Sequence, residues 1–196
     1  MYRIECANSV GQGSDQAPAP KIPGLRNVFL IGLMGAGKTT VGRHLARMLG
    51  FEFVDADHEI ETRTGATIPL IFEIEGEEGF RKREAAVIAD LAKRERIVLA
   101  TGGGVILHPE NRAALRANGT VVYLRAAVDT LLARTGRSTH RPLLATGDPR
   151  ARLEELLRVR DPLYLESADF VVETGRGGAP SVAKTILARL KERASA

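Results

Sequence analysis

Residues 32–39 read Gly-Leu-Met-Gly-Ala-Gly-Lys-Thr, a complete G-x-x-x-x-G-K-[ST] phosphate-binding loop. No other stretch constrains the fold as much, because the loop works only between a strand and a helix. Gly32, Gly35 and Gly37 remove side chains so that the backbone can curl and turn its N–H groups toward a polyphosphate. Lys38 brings a cation to the β- and γ-phosphates, and the Thr39 hydroxyl is placed to ligate the accompanying Mg²⁺. Both flanks fit. Asn27-Val28-Phe29-Leu30-Ile31 is an apolar, strand-like run, and Thr40 opens a helical pattern through Leu49, whose N-terminus favours anions. The stretch Gly35, Ala36, Gly37, Lys38, Thr39, Thr40 is therefore expected to bind a nucleoside triphosphate.

The rest of the chain alternates between the two periodicities. Phe51–Val54, Ile97–Ala100, Thr120–Leu124 and Phe170–Glu173 read as further short strands. Between them, helices are expected from His58 to Thr64, from Thr67 to about Gly76, and then along a face bearing Phe80, Val87, Ile88 and Leu91. Others are expected over Pro109–Asn118, Val128–Arg134, Pro149–Leu165 and Pro180–Arg193. Gly50 and Gly65 are placed to end helices, and Pro69 and Pro149 to begin them. Five apolar strands alternating with helices predict an α/β fold, a parallel sheet covered on both faces. Ligands in such folds bind beyond the carboxyl ends of the strands. Residues 1–24, rich in Gly, Ala, Pro and Gln and without periodicity, are expected to be a disordered extension, with one domain over 25–196.

Three further features gather at that rim. Asp55 and Asp57 follow the second strand and are expected to face different ways if the strand geometry persists, one toward a metal's water shell and one toward an acceptor; alternatively Asp57 only caps the next helix. Gly102-Gly103-Gly104 ends the third strand, and three ordered glycines cost enough backbone entropy to imply close approach of a ligand to the backbone, since a mere turn needs only one or two. Arg81, Arg134, Arg141 and Arg160 stand at helix starts, loop entrances or within motifs, where guanidinium forks suit carboxylates and phosphates.

In chain order the motifs are the phosphate loop, Asp-x-Asp, Phe72-x-x-x-Gly76-Glu77-x-x-Phe80-Arg81, the triple glycine, Arg141-Pro142-Leu143-Leu144 and Arg160-x-Pro162-Leu163-Tyr164. This ordered set, over about Leu25 to Leu190, closely resembles the bacterial shikimate kinases. The resemblance implies a three-layer α/β/α P-loop kinase of the nucleoside-monophosphate-kinase type with sheet order 2-3-1-4-5. It also implies a substrate-binding helical segment at about 57–92 and a mobile lid at about 135–147. It implies ATP as donor, shikimate as acceptor and Mg²⁺ as cofactor. Under it, Asp57 orients or deprotonates the attacking hydroxyl, and Arg81, Arg160 and Gly103 hold shikimate. Asp55 holds Mg²⁺ through water, Lys38 and Arg141 neutralise the transferring phosphate, and Arg134 lies against adenine. Arg176 matches an adenine-side loop only loosely, and Phe72 and Phe80 line the acceptor pocket or belong to the core. A monomer is the family default.

Other readings are weighed on the same residues. Gluconate or nucleotide kinases lack the combination of Phe-Arg, triple-glycine and Arg-x-Pro-Leu-Tyr motifs. A GTPase switch would carry N-K-x-D, which is absent, and a nucleic-acid motor would close a strand with an acidic pair, whereas Ile97–Ala100 runs into glycine. The net charge of +4 is small for nucleic-acid binding, and an anionic small molecule explains the arginines as well. With no apolar run of membrane-spanning length, no signal-peptide pattern and a single cysteine, Cys6, the expectation is a cytoplasmic protein without internal disulfides.

Overall fold

The structure, a computed structural model, describes residues 20–135, 148–175 and 177–195. Five short strands, β1 (Val28–Ile31), β2 (Glu52–Asp55), β3 (Ile97–Ala100), β4 (Thr120–Arg125) and β5 (Phe170–Glu173), form one parallel sheet in the order β2-β3-β1-β4-β5. The helices are α1 (Lys38–Leu49), α2 (Ala56–Thr64), α3 (Ile68–Ala92), α4 (Pro109–Asn118), α5 (Val128–Thr135), α6 (Pro149–Ser167) and α7 (Gly178–Ala194).

Strand alternation divides the core in two. Val28 and Leu30 of β1 enter one cluster with Val41 and Leu45 of α1, Leu153 of α6 and Ile186 of α7. Phe29 and Ile31 enter the other with Ile88 and Leu91 of α3 and Leu115 of α4. All four β1 side chains are fully buried, as in a parallel strand covered on both faces. Because β1 lies between β3 and β4, the loop leaving its carboxyl end sits where successive connections run to opposite sides of the sheet. That loop is the phosphate loop.

Helix ends follow the expected chemistry. Gly50 and Gly65 adopt left-handed conformations and close α1 and α2 through backbone N–H bonds. The expected break at Gly76 takes the form of one residue with φ 70° and ψ −174°, after which α3 resumes its helical path. Phe80, Val87, Ile88 and Leu91 are buried together as their spacing requires. Ile22, within the stretch read as extension, packs with Leu25 against the first core cluster.

Asn27 departs from its reading as part of the strand. It precedes β1 and is fully buried, and its side-chain amide donates to the carbonyls of Arg94 (2.7 Å) and Asn118 (3.0 Å). Its carbonyl oxygen accepts from the Ile97 N–H at 3.1 Å. One side chain thus ties the ends of α3 and α4 to the start of β3. Asn27→Ala is expected to cost about 3 kcal/mol, since each buried partner left unpaired costs about 1–3 kcal/mol; urea denaturation measures it.

Candidate active site

The phosphate loop is shaped by contacts that exclude side chains. Gly32 has φ 142°, and a Cβ there would stand 2.5 Å from the Leu124 carbonyl oxygen, so the loop hugs the end of β4. Gly37, at φ 97°, begins α1 with no side-chain cap and no acidic residue in the first turn. The first N–H groups of α1 therefore face the loop's hollow without a competing side-chain acceptor. The Lys38 ammonium donates to the carbonyls of Gly32 (2.7 Å) and Leu33 (3.1 Å), arching back over the loop. Arg134 lies exposed at the end of α5 and donates to the carbonyls of Gly35 (3.2 Å) and Ala36 (3.4 Å), bracing the same loop from outside. Ala36 is buried, while Thr40 is exposed in the first turn of α1.

The Thr39 hydroxyl donates to Asp55 Oδ2 at 2.8 Å. The other carboxylate oxygen, Oδ1, accepts from the Asp57 N–H at 3.2 Å, making Asp55 the N-cap of α2. The capping role considered for Asp57 thus belongs to Asp55. The two carboxylates do separate, but not through strand alternation, which would leave residues 55 and 57 on one face. The chain turns into α2 at Ala56, and this leaves Asp57 exposed at the helix start with Oδ1 3.1 Å from where a Gly102 Cβ would lie.

The triple glycine is crowded on every side. Arg81, nearly buried in α3, lies so close that a Cβ on Gly104 would overlap its guanidinium, 2.6 Å from Cζ. A Cβ on Gly102 would meet Glu84 Oε1 at 2.7 Å. The Gly103 carbonyl accepts from Arg160 (3.3 Å) and from the Tyr164 hydroxyl, both on α6. On its other side, a Cβ on Gly103 would stand 3.5 Å from the Met34 nitrogen and 3.6 Å from the Gly32 oxygen of the phosphate loop. Asp57, Arg81 and Arg160 therefore converge from three helices on the triple glycine, and Gly103 lies between them and the phosphate loop.

Glu84 is the residue that motif reading missed. It is 1% exposed, accepts from Arg81 at 2.7 Å, and its Oε1 has no hydrogen-bond partner among the described residues. The signal was present: a glutamate interrupts the apolar stripe of Phe80, Val87, Ile88 and Leu91 three residues after Arg81. Burial works against the Arg81 charge, but the Glu84 and Glu77 carboxylates outweigh it and hold the guanidinium pKa above its usual value. Arg81 also lies 5.2 Å over the Phe80 ring, which in turn stands 4.7 Å from Phe72. Phe80 is thus buried in the core beneath Arg81, and Phe72 is half-buried beside it. Arg141 and Arg176 lie outside the described residues, as does most of the segment read as a lid.

The model of one family, described as shikimate kinase, matches residues 34–191. The chain belongs to the shikimate kinase family. A shikimate kinase from Methylococcus capsulatus is 62% identical over 162 residues, covering 83% of this chain and 90% of that protein. One from Bordetella pertussis is 53% identical over 187 residues, covering 95% and 88%. The solved structure of shikimate kinase from Acinetobacter baumannii in complex with shikimate superposes with a TM-score of 0.85 at 53% identity, covering 87% of this chain and 95% of that one. The sheet order and P-loop kinase fold expected from the motifs are those of this shikimate kinase, and its activity is phosphoryl transfer from ATP to shikimate. No helix among the described residues is long and apolar enough to cross a membrane.

Proposed function

We propose that this shikimate kinase phosphorylates the 3-hydroxyl of shikimate at the junction between the triple glycine and the phosphate loop. The contact of Gly103 with the loop backbone carries the reading, because it brings the acceptor's binding groups to the donor's edge. Arg81 and Arg160 offer guanidinium forks to the shikimate carboxylate, and the Gly103 segment offers backbone beside them. Asp57 faces the ring hydroxyls, where it aligns the attacking oxygen and takes its proton. Glu84 holds Arg81 in place and keeps a second oxygen toward the same pocket.

On the donor side the N–H groups of the phosphate loop and of α1 receive the phosphates. Lys38 exchanges its loop carbonyls for the β- and γ-phosphate oxygens, and Arg134 lies along the adenine side. Arg141 and Arg176, both outside the described residues, keep the roles their motifs imply: charge neutralisation at the transferring group and an adenine-side contact. The residues present fit Mg²⁺. Thr39 and Asp55 pair a hydroxyl with a carboxylate at 2.8 Å, both hard oxygen donors. Among the described residues no group of three or more His, Cys, Asp or Glu side chains could hold a metal alone, in keeping with an ion that retains waters and phosphate oxygens. Mg²⁺ would be held by Thr39 directly and by Asp55 through water, and would neutralise charge on the phosphates. The charge spread over the transferring group is otherwise met by Lys38 and Arg141, so catalysis is mainly positioning and electrostatics.

A coupled ADP-release assay across shikimate, gluconate and nucleoside monophosphates tests the acceptor. Shikimate alone is expected to stimulate release, and EDTA is expected to abolish it. Equal stimulation by gluconate, or turnover surviving EDTA, would reject the acceptor or the metal respectively.

A further inference from the structure

Helix α6 carries Pro162 in its interior. Proline has no N–H, so the helix lacks one of its own hydrogen bonds just where it presents Arg160 and Tyr164. Around that proline, side chains tie the helix to its neighbours. Tyr164 is fully buried, donates its hydroxyl to the Gly103 carbonyl, and stacks on Tyr123 of β4 with ring centroids 4.8 Å apart. The Tyr123 hydroxyl in turn donates to Asp161 Oδ1 at 2.7 Å. Arg125, two residues along β4, grips the same carboxylate with both ends of its fork, Nε to Oδ1 at 3.1 Å and Nη2 to Oδ2 at 2.9 Å. Burial pushes both phenol pKa values up, with Asp161 adding to the shift at Tyr123, so both hydroxyls remain donors at neutral pH.

Asp161 is thus adjacent to Arg160 in the helix but bonded to the strand. Tyr123 pairs in register with Ile31, the last residue before the phosphate loop. An unbroken series of contacts runs from the strand that launches the loop, through Tyr123 and Asp161, to the helix that aims Arg160. The Arg125–Asp161 pair is itself partly exposed, 45% and 21%, and such pairs add little to stability. Its geometry, bidentate and shared with a tyrosine hydroxyl, is suited to fixing orientation.

We propose that Asp161 is a positioning residue for the acceptor: by holding Tyr123 and Arg125 of β4 it sets the rotation of α6 around Pro162, and so the aim of Arg160 at the shikimate carboxylate. This rests on the role given to Arg160 above. Asp161→Ala is expected to raise the KM for shikimate about tenfold, with the KM for ATP unchanged. Asp161→Asn, which keeps an acceptor for Tyr123, restores part of the loss. In an Arg160→Ala background Asp161→Ala adds nothing further, because the group it aims is gone. Equal rises in both KM values, or the same tenfold rise in the Arg160→Ala background, overturn the inference. Arg160→Ala alone separates the two assignments. An unchanged shikimate KM there rejects the role of Arg160, whereas a raised one with Asp161→Ala at the unmutated value rejects only that of Asp161. Should alanine at 161 fold poorly, Tyr123→Phe removes one hydroxyl and carries the same test. A rise confined to the shikimate KM supports the inference, and no rise overturns it.

Discussion

Asp57→Ala is expected to lower kcat by roughly 10²- to 10⁴-fold, the usual contribution of a positioned acid–base group, while ATP affinity stays unchanged. The reason lies in where the three carboxylates near the triple glycine stand. Asp55 is bonded to the Thr39 hydroxyl and caps α2. Glu84 is bonded to Arg81. Asp57 alone of the three is exposed, at the start of α2 and within reach of Gly102. Steady-state kinetics with a separate ATP titration measure both quantities. Asp57→Asn sharpens the assignment, since it still accepts a hydrogen bond but cannot take a proton. A loss as deep as that of alanine supports proton transfer, a shallow one supports alignment, and near-normal turnover in Asp57→Ala removes the residue from the chemistry.

Arg81→Ala is expected to act twice. Glu84 is buried against Arg81, and removing one partner of a buried ion pair costs about 3–5 kcal/mol because the remaining charge is uncompensated. That is a large share of the roughly 5–15 kcal/mol that holds a typical domain folded. The second effect is on binding: loss of a fork to a carboxylate, at about 1.5–3 kcal/mol per charged hydrogen bond, raises the shikimate KM by roughly 10- to 100-fold. The combined variant Arg81→Ala with Glu84→Gln separates the two. Urea denaturation is expected to show most of the stability recovered, while the shikimate KM stays high. Recovery of both would make Arg81 a structural partner of Glu84 and no more.

The site was legible where chemistry demands a contiguous pattern. The phosphate loop must be one unbroken stretch, because neighbouring N–H groups have to point at the same phosphates, and glycine spacing records that. Helix ends at Gly50 and Gly65 were legible for a similar reason, since a left-handed residue is a local requirement. The triple glycine was recognisable as a place of close approach to the backbone, read as a ligand's, but that the chain's own side chains press on it was not. Glu84, Arg81 and Tyr164 reach it from helices far along the chain, and none of the three glycines has a positive φ to explain its identity. Glu84 escaped because charged residues on helices are usually solvated, and only packing turns this one inward. Asp55 and Asp57 were found as a pair, yet which of them caps α2 depended on where the strand became a helix, a boundary that local propensity places only loosely.

From the sequence alone came the donor chemistry, the alternation that makes a parallel sheet covered on both faces, and the motif order that points to the family, all properties encoded between near neighbours. The tertiary structure decided that Gly103 lies against the phosphate loop, that Arg160 and Tyr164 share its carbonyl, and that Asp161 ties α6 to β4. Those relations join residues tens of positions apart. They exist only once burial of the two core clusters has fixed the helices on the sheet, because directional contacts between side chains follow from that packing.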